Sequence, residues 1–584
     1  MLQIVLTLLI FVACVIPMGK YMYHIATNQK TFADPVFDRI DNGIYKICRI
    51  DRVGMTWKTY TLNLLMTNAV MVFTGYMILR LQYGLFFNPN GIEGMSADLS
   101  FNTIISFMTN TNLQHYSGES GLSYLSQMLV ITFMMFTSAA SGYAACMAFS
   151  RGLAGKKKNL GNFYEDMVRI TTRIFIPWCV VFGLVLVWQG CPQTVGSNYT
   201  VSTITDKFQD FAMGPVASLE IIKHLGTNGG GFFGANSATP FENPTIITDI
   251  TELISMMILP GACVLTFGKM CQDRKREILS AGEENMLKLN GSMVAKEPVF
   301  GKQGRTIFGA MSILFLVGLS VCYSSEMAGN PVLESAGISQ DMGSMEGKEV
   351  RFGVDQSALF TTVTTSFTTG TVNNMHDTLT PLGGMVPLLH MMLNCVFGGK
   401  GVGLMNMVMY VILAVFICGL MVGRTPEYLG KKIEGKEMKL VAICLLVHPL
   451  LILGFSALAV STDAGLAGIT NPEFHGLSQV LYEYSSSAAN NGSGFEGLAD
   501  NSLFWNVTAG LAMFFGRYIA IIAQLAIAGS LLAKKSVSAT VGTLRTDNTG
   551  FTIILVFVVY IFAALTFFPA LALGPIAEHL TIWF

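Results

Sequence analysis

Four short runs of small, neutral polar residues carry the most specific chemistry in this sequence, and they contain no Asp or Glu. Their candidate ion ligands are Thr111, Asn112, Leu113 and Gln114; Thr227, Asn228, Gly229 and Gly230; Thr368, Thr369, Gly370 and Thr371; and Asn490, Asn491, Gly492 and Ser493. Hydroxyl, amide and backbone carbonyl oxygens can replace the hydration shell of K⁺. Ca²⁺ and Mg²⁺ favour carboxylates or retained water. The runs therefore predict a binding site for a monovalent cation.

The segments that precede these runs indicate how the runs are positioned. Each run follows an apolar segment that is shorter than the roughly 20 residues a spanning helix needs. These segments are 99–108, 214–225, 357–367 and 477–489. We expect them to form re-entrant helices whose negative C-terminal ends face a cation. Non-helical backbone persists at membrane depth only inside protein or beside a wet cavity. The four runs are therefore predicted to converge on one axis.

The composition places these runs in a membrane. The chain has 584 residues, of which 52% are hydrophobic and only 12% are charged, whereas a soluble domain is about 25% charged. This balance excludes a disordered chain and a soluble enzyme, and it predicts an all-α polytopic membrane protein with about 10 transmembrane helices. The predicted spans are 2–24, 60–82, 122–149, 169–189, 246–270, 306–324, 386–422, 439–461, 506–533 and 551–575. The seventh is too long for one span and is interrupted by the Gly-rich stretch 398–403.

The order of spans and runs predicts internal repeats. Each run lies between a span that leads outward and one that leads inward. This order indicates four pseudo-symmetric repeats of helix, pore helix, filter and helix, anchored on Asn112, Asn228, Gly370 and Gly492, with one extra helix at each end. The predicted boundaries are 1–58 for the extra first helix and its inner loop, 59–150, 151–272, 273–425 and 426–535 for the repeats, and 536–584 for the last helix.

The distribution of Lys and Arg predicts the orientation. Alternate loops are rich in these residues, as at 156–158 and 274–276, whereas 84–100 and 461–505 contain none. The positive-inside rule then places the basic loops in the cytoplasm and the filters and both termini outside. The basic cluster 274–276 is either a contact for anionic lipid or a partner, or a solvated inner face.

Two cations lie within apolar surroundings. Lys400 is in the Gly-rich break of the seventh segment, and Arg517 is in the ninth span. An intramembrane charge is a functional candidate, so both are predicted to act as gating or electrostatic residues below the filter. The alternative for Arg517 is a structural ion pair or a snorkelling side chain, and the alternative for Lys400 is that the break alone forms the gate.

Polar residues beside two of the runs have less specific predicted roles. Lys223 and His224 precede the second run and are predicted to line a polar outer vestibule. His376 and Asp377 follow the third run and are predicted to brace its loop by hydrogen bonds rather than to bind an ion.

Motifs for other chemistries are absent from the sequence. It has no GxxxxGK[ST] phosphate loop and no DKTG phosphorylation motif, so we expect no nucleotide to bind this chain. Its net charge of -1 gives no field that would attract nucleic acid. It has 11 cysteines without a CxxC pair, and whether Cys191 and Cys322 form a disulfide is open. Few intramembrane acids or cofactor ligands are present, which disfavours a proton-translocating or redox subunit.

The runs and their flanks resemble the KdpA family, the potassium-binding subunits of Kdp potassium-transporting ATPases. The matching motifs are TNTN at 109–112 with YSGE at 116–119; GTNGGGFF at 226–233 with NSA at 236–238 and PFENP at 240–244; MHD at 375–377 with GGMVP at 383–387; SAANNGS at 487–493; and GRTPEYLG at 423–430. The sequence departs from the family pattern at a few positions. Leu113 stands where an aromatic residue is expected, Thr368 and Thr369 replace Ser-Cys, and Gly234 and Thr239 replace Asn and His.

The resemblance implies a function. Such a chain is the K⁺-selecting subunit of an ATP-driven, high-affinity uptake pump in the bacterial cytoplasmic membrane. K⁺ would enter the four-repeat filter from outside and pass sideways through an intramembrane tunnel to a P-type ATPase subunit, with two small membrane subunits and membrane lipid as further partners. This chain would not hydrolyse ATP. The alternative is a stand-alone K⁺ or Na⁺ channel-like transporter of the same superfamily.

Overall fold

The computed structural model describes residues 2–155, 159–282, 301–423, 425–535 and 544–584, with the backbone only from 274 to 282. The predicted basic cluster 156–158 and the residue Arg424 lie outside the described residues, as do the side chains of the cluster 274–276.

The described residues form ten helices that are long and apolar enough to cross a membrane, which confirms the predicted fold class. They are Leu2–Ala26, Trp57–Gly84, Tyr124–Ala154, Phe163–Gln189, Ile246–Asp273, Gly301–Ser335, Gly399–Met421, Gly435–Val460, Leu503–Ala533 and Thr549–Trp583. Side-chain caps start several of them, because a helix leaves its first N–H groups without internal partners. Ser502 accepts from Trp505 N, and Asn162 accepts from Tyr164 N. The division into four repeats stays a prediction.

Four short helices lie between the spanning helices, where the apolar segments predicted them. Short helix 1 is Ala97–Met108, short helix 2 is Val216–Leu225, short helix 3 is Gly353–Ser366 and short helix 4 is Glu473–Ala489. Their C-terminal residues agree with the predicted ends to within one residue. Almost every side chain of short helices 2 and 3 is buried, as is required of a helix enclosed by others.

The seventh predicted span is broken at the Gly-rich stretch. One helix covers Pro381–Leu393, a 3₁₀ turn covers Gly399–Gly401, and a second helix covers Val402–Met421. Left-handed backbone at Asn394, Lys400 and Gly401 makes the break. Gly403 lies against the carbonyl oxygen of Phe397, and a Cβ at this position would clash with it. The prediction of a break within this segment is confirmed.

The remaining elements are short. They are the helices Asp34–Ile47, Gly118–Gly121 and Asp463–Leu466, and the antiparallel strand pairs Tyr199–Ser202 with Phe208–Phe211 and Glu427–Tyr428 with Lys431–Lys432. The segments Pro331–Ser335 and Ala577–Trp583 are the ends of the sixth and tenth spanning helices. The spanning helices differ in burial. In the most apolar stretch of Ile246–Asp273, 89% of the residues are buried, against 28% in Leu2–Ala26. The first helix is therefore peripheral, and the fifth belongs to the centre around the short helices.

Candidate functional site

Each short helix ends in the same turn. The amide nitrogens of Thr111, Asn228, Thr369 and Asn491 each donate to the carbonyl five residues earlier, at 2.8–2.9 Å. The residue before each of these donors has left-handed backbone, with φ of 63° at Asn110, 53° at Thr227, 51° at Thr368 and 56° at Asn490. A positive φ is uncommon outside glycine. Its recurrence gives the four turns one shared local geometry.

The shared turn aligns the four runs residue by residue. Asn112, Gly229, Gly370 and Gly492 each follow the donor of the turn and occupy the equivalent position. The predicted anchor Asn228 is therefore one residue too early. The reason is that short helix 2 ends so that Asn228 N, rather than Gly229 N, donates to the Lys223 carbonyl. We call residues 109–114, 226–231, 367–372 and 489–494 loops 1 to 4.

The four loops contact one another. Gly229 N donates to the carbonyl of Thr111 at 3.2 Å, which joins loop 2 to loop 1. Asn490 Nδ2 donates to Thr111 Oγ1 at 3.0 Å, which joins loop 4 to loop 1. Asn491 Nδ2 donates to the carbonyl of Thr364, at the end of short helix 3, at 2.9 Å. The predicted convergence of the runs on one centre is present in the structure.

Glycine is required where the loops meet. A Cβ at Gly229 would lie 2.7 Å from Gly492 Cα, and a Cβ at Gly370 would lie 2.8 Å from the same atom. Gly370 and Gly492 also have φ of 96° and 107°. Backbones approach this closely only without side chains.

Three side-chain oxygens of the loop residues have no hydrogen-bond partner among the described residues, and Asn112 Nδ2 has none either. Asn112 Oδ1, Asn228 Oδ1 and Thr369 Oγ1 are buried and accept no hydrogen bond from the described residues. A buried polar atom without a partner costs about 1–3 kcal/mol. Neutral oxygens left open in this way are suitable ligands for a weakly hydrated cation.

Other predicted ligands are already engaged within the protein. Gln114 Oε1 accepts from Gly231 N at 2.8 Å, so this side chain joins loop 1 to loop 2. The carbonyl of Leu113 accepts from Ser106 Oγ, and Ser493 Oγ bonds the Tyr482 hydroxyl, both at 2.8 Å. Gly230 has φ of 71°, and a Cβ there would lie 2.7 Å from the carbonyl oxygen of Asn112.

Lys400 lies against the first residues of the loops, where the loops leave the short helices. Its Nζ donates to the carbonyl of Asn110 at 2.8 Å and to that of Asn490 at 2.5 Å. Its backbone nitrogen donates to Thr227 Oγ1 at 2.9 Å. The side chain is fully buried. One ammonium group therefore contacts loops 1 and 4, while its backbone contacts loop 2.

Arg517 lies next to Lys400. A Cβ added to Gly142 would lie 2.6 Å from Arg517 Nη2 and 2.8 Å from Lys400 Cβ, so both cations pack on the same residue. Arg517 Nη1 is buried without a partner, and neither cation has a salt bridge within the described residues. The two charges remain without nearby carboxylates, which disfavours the structural ion pair as the role of Arg517.

Lys223 and His224 are fully buried, so the prediction that they line an outer vestibule is wrong. Lys223 Nζ lies 2.5 Å from Glu220 Oε2 and also donates to Ser237 Oγ. His224 Nε2 lies 3.2 Å from Thr371 Oγ1 in loop 3. The face of short helix 2 that carries Lys223 and His224 packs against neighbouring elements. The ion pair with Glu220 offsets part of the cost of burying the Lys223 charge.

Asn236 was missed among the site residues. Its Nδ2 donates to the carbonyl of Gly370 at 2.8 Å, and its own carbonyl accepts from Val372 N at 2.9 Å. It therefore contacts loop 3 at both Gly370 and Val372. Glu242 supports the exit of loop 2 by accepting from Phe232 N at 2.7 Å and from Ser237 N at 3.0 Å. The sequence signal for both residues was their place in the family-matching motifs NSA at 236–238 and PFENP at 240–244.

His376 and Asp377 follow loop 3 and are held by hydrogen bonds to residues of other segments, so their role in bracing loop 3 stays a prediction. Their backbone nitrogens donate to Glu496 Oε2 at 2.9 and 3.1 Å, and His376 Nδ1 lies 2.7 Å from the Tyr482 hydroxyl. His475 continues this network, with Nε2 3.0 Å from Asp377 Oδ1 and Nδ1 2.8 Å from Glu578 Oε1. Burial alone would lower the pKa of His475, but the two carboxylates raise it to about 10.

Replacing His475 by glutamine is expected to lower the free energy of unfolding by about 2 kcal/mol at pH 6, because hydrogen bonds to a charged group are lost. The folded pKa lies above the ordinary value of about 6.5. The stabilisation is therefore complete below about pH 6.5 and is lost as the pH rises toward 10. Thermal unfolding from pH 6 to pH 10 tests this. Equal melting temperatures of the variant and the original protein at pH 6 would contradict it.

The open question about Cys191 and Cys322 is resolved against a disulfide, since both are free thiols in the structure. Cys191 Sγ donates to the carbonyl of Glu242 at 3.1 Å, and Cys322 packs in a separate cluster with Ala358 and Val386.

The ten long apolar helices among the described residues define an all-α polytopic membrane protein. The chain belongs to the KdpA family: the family model described as the potassium-transporting ATPase A subunit matches residues 5–580.

Full-length relatives agree with this assignment. The chain is 56% identical over 582 residues to the potassium-transporting ATPase potassium-binding subunit of Clostridium acetobutylicum, covering 100% of both chains. It is 52% identical to the protein of the same name from Geobacillus kaustophilus, covering 99% of each chain. Among solved structures, the potassium transporter TrkH from Vibrio parahaemolyticus is similar with a TM-score of 0.45 and 14% identity, over 77% of this chain and 83% of that one.

Proposed function

We propose that this chain is the potassium-binding subunit of an ATP-driven K⁺ uptake complex. The observation that carries the proposal is the meeting of four neutral loops at one centre, where Gly229 and Gly370 both lie against Gly492. The names of the full-length relatives support K⁺ as the transported ion and an ATPase complex as the setting.

The loops form the selectivity filter in this proposal. K⁺ is bound by carbonyl and side-chain oxygens around Asn112, Gly229, Gly370 and Gly492, which replace its hydration shell. The C-terminal ends of the four short helices point their negative dipole ends toward these loops and favour a cation there. The four loops contain no carboxylates, so the negative electrostatic field at the filter is weak, which suits a monovalent ion.

Lys400 blocks the direct path below the filter. Its ammonium occupies the carbonyls of Asn110 and Asn490, which a K⁺ ion leaving the filter would otherwise meet. Arg517 adds a second positive charge beside it, so K⁺ is repelled from the route straight through the protein.

A sideways exit is the remaining path. Next to the break lies a cavity of about 20 Å³, enough for one water molecule. Asn394, Asn406 and His448 are among its lining residues and supply polar atoms. We assign this cavity to the tunnel that leads K⁺ to a P-type ATPase subunit, which hydrolyses ATP. Two small membrane subunits complete the proposed complex.

The orientation follows from the Lys and Arg distribution. The filter and both termini face outward from the bacterial cytoplasmic membrane, and the basic loops contact the cytoplasm. Anionic lipid headgroups on that side would be attracted by these loops.

The test compares the isolated chain with the assembled complex. The chain is expected to co-purify with a P-type ATPase subunit, and the complex is expected to take up K⁺ into liposomes only with ATP. The isolated chain is expected to show little K⁺ flux, because Lys400 and Arg517 close the direct path. Full K⁺ flux through the isolated chain, with no associated ATPase, would favour the stand-alone channel-like transporter instead.

A further inference from the structure

A second cluster of ligand-type side chains lies beside loop 1 and is not used in the proposed transport path. His115 follows Gln114 directly, Glu483 is on short helix 4, and Asp500 is in the loop after loop 4. One ligand atom from each lies within 4.8 Å of the other two. His115 and Glu483 are buried, whereas the Asp500 side chain is 27% exposed.

The orientation of the imidazole is determined by its other neighbour. Asn506 Nδ2 donates to Asp98 Oδ2 at 2.8 Å, and a carboxylate can only accept. Asn506 Oδ1 is therefore the atom that faces His115 Nδ1, at 2.8 Å, and it accepts a hydrogen bond from it. This arrangement leaves Nε2 of His115 directed at the two carboxylates. Metal-binding histidines are usually oriented by such a hydrogen bond from the second ring nitrogen.

The distances suit a tetrahedral ion. His115 Nε2 lies 3.3 Å from Glu483 Oε1 and 3.8 Å from Asp500 Oδ2. Ligands about 2.0–2.1 Å from a tetrahedral Zn²⁺ are separated from one another by about 3.3 Å. One nitrogen and two carboxylate oxygens leave a fourth position for water, and the exposed Asp500 gives an entry path.

We propose that His115, Glu483 and Asp500 bind a divalent transition-metal ion of the Zn²⁺ class. The ion would tie the end of loop 1 to short helix 4. Because both elements contribute to the centre where the four loops meet, occupancy would also alter the response of the protein to K⁺.

The competing occupant of this position is a proton. Glu483 Oε1 and Asp500 Oδ2 lie 3.3 and 3.8 Å from His115 Nε2 and would also pair with a protonated imidazole. A metal ion must displace this proton on binding. The other buried cluster of this kind, Glu220, His224 and Glu252, differs because Lys223 Nζ already lies 2.5 Å from Glu220 Oε2. An ammonium group takes the place of an ion there.

The test is Zn²⁺ binding to the full-length chain, purified in detergent and measured by titration calorimetry at pH 8, with Co²⁺ absorption as a second probe. His115→Gln and Asp500→Asn are each expected to weaken Zn²⁺ binding by about 10-fold or more. Asp500→Asn is the safer variant for folding, because Asp500 is partly exposed. His579→Gln, which changes a histidine near the C-terminus, serves as the matched control and is expected to bind normally.

Three results would overturn the proposal. They are no Zn²⁺ binding, Zn²⁺ affinity that is unchanged in Asp500→Asn, or a loss of Zn²⁺ affinity in His579→Gln as large as that in Asp500→Asn. This outcome does not depend on the proposed transport function, because binding is measured without K⁺ flux. In the complex, micromolar Zn²⁺ is further expected to shift the K⁺ concentration for half-maximal ATPase activity, and this shift should disappear in Asp500→Asn.

Discussion

Replacing Gly370 by alanine is expected to raise the K⁺ concentration for half-maximal ATPase activity of the complex by about 30- to 100-fold, which corresponds to about 2–3 kcal/mol. Gly370 has φ of 96°, which an L-residue adopts at a cost of about 1–2 kcal/mol. Its new Cβ would also meet the carbonyl of Asn491 and lie 2.8 Å from Gly492 Cα. Loops 3 and 4 would have to separate, and their oxygens would no longer match the size of K⁺.

Gly353→Ala is the matched control for this variant. Gly353 also has a positive φ, of 64°, but no atom lies within 4 Å of its added Cβ. It therefore reports the cost of backbone strain without the contact between loops. The K⁺ dependence of Gly353→Ala is expected to equal that of the original protein. If Gly370→Ala assembles and retains normal K⁺ dependence and discrimination against Na⁺, loop 3 is not part of the filter.

Replacing Lys400 by methionine is expected to give ATP-independent K⁺ flux in liposomes at least about 10-fold above that of the original protein, since removing a barrier of about 1.4 kcal/mol already changes a rate tenfold. The ammonium now holds the carbonyls of Asn110 and Asn490, and methionine of similar length cannot. Both carbonyl oxygens would become available to K⁺, and the charge that repels it would be gone. Flux measured with a K⁺-sensitive dye in proteoliposomes tests this expectation.

Lys400→Arg is the control, because it keeps the positive charge at this position. It is expected to stay closed to K⁺ without ATP. Thermal unfolding of both variants separates a leak from general loss of structure, since Lys400 is fully buried. A tight Lys400→Met variant would show that Lys400 is not needed to close the path, which leaves the Gly-rich break or Arg517 as the barrier.

The sequence alone predicted the spanning helices and the positions of the four loops, but not the helix Asp34–Ile47. Apolar length distinguishes a spanning helix from a short one because a bilayer has a fixed thickness. Small polar residues and Gly then mark the C-terminal ends of the short helices. For this reason, the ends at Met108, Leu225 and Ala489 were predicted at the observed residue. These are local properties of the chain.

The sequence alone did not predict the contacts between segments that are far apart in the chain. The register of loop 2 depends on which amide reaches the Lys223 carbonyl, and the use of Gln114 depends on Gly231 across the centre. Asn236 acts on the carbonyl of Gly370, far along the chain. No local pattern specifies such partners.

The buried cations also show what the sequence predicts and what only the tertiary structure determines. Sequence placed Lys400 and Arg517 inside the membrane, where any charge must have a purpose or a partner. Only the tertiary structure decided that the Lys400 ammonium lies on the carbonyls of Asn110 and Asn490, and that Lys223 is buried against Glu220 rather than exposed. Composition and periodicity report how apolar a segment is, whereas the partners of Lys400 depend on how separate loops pack together.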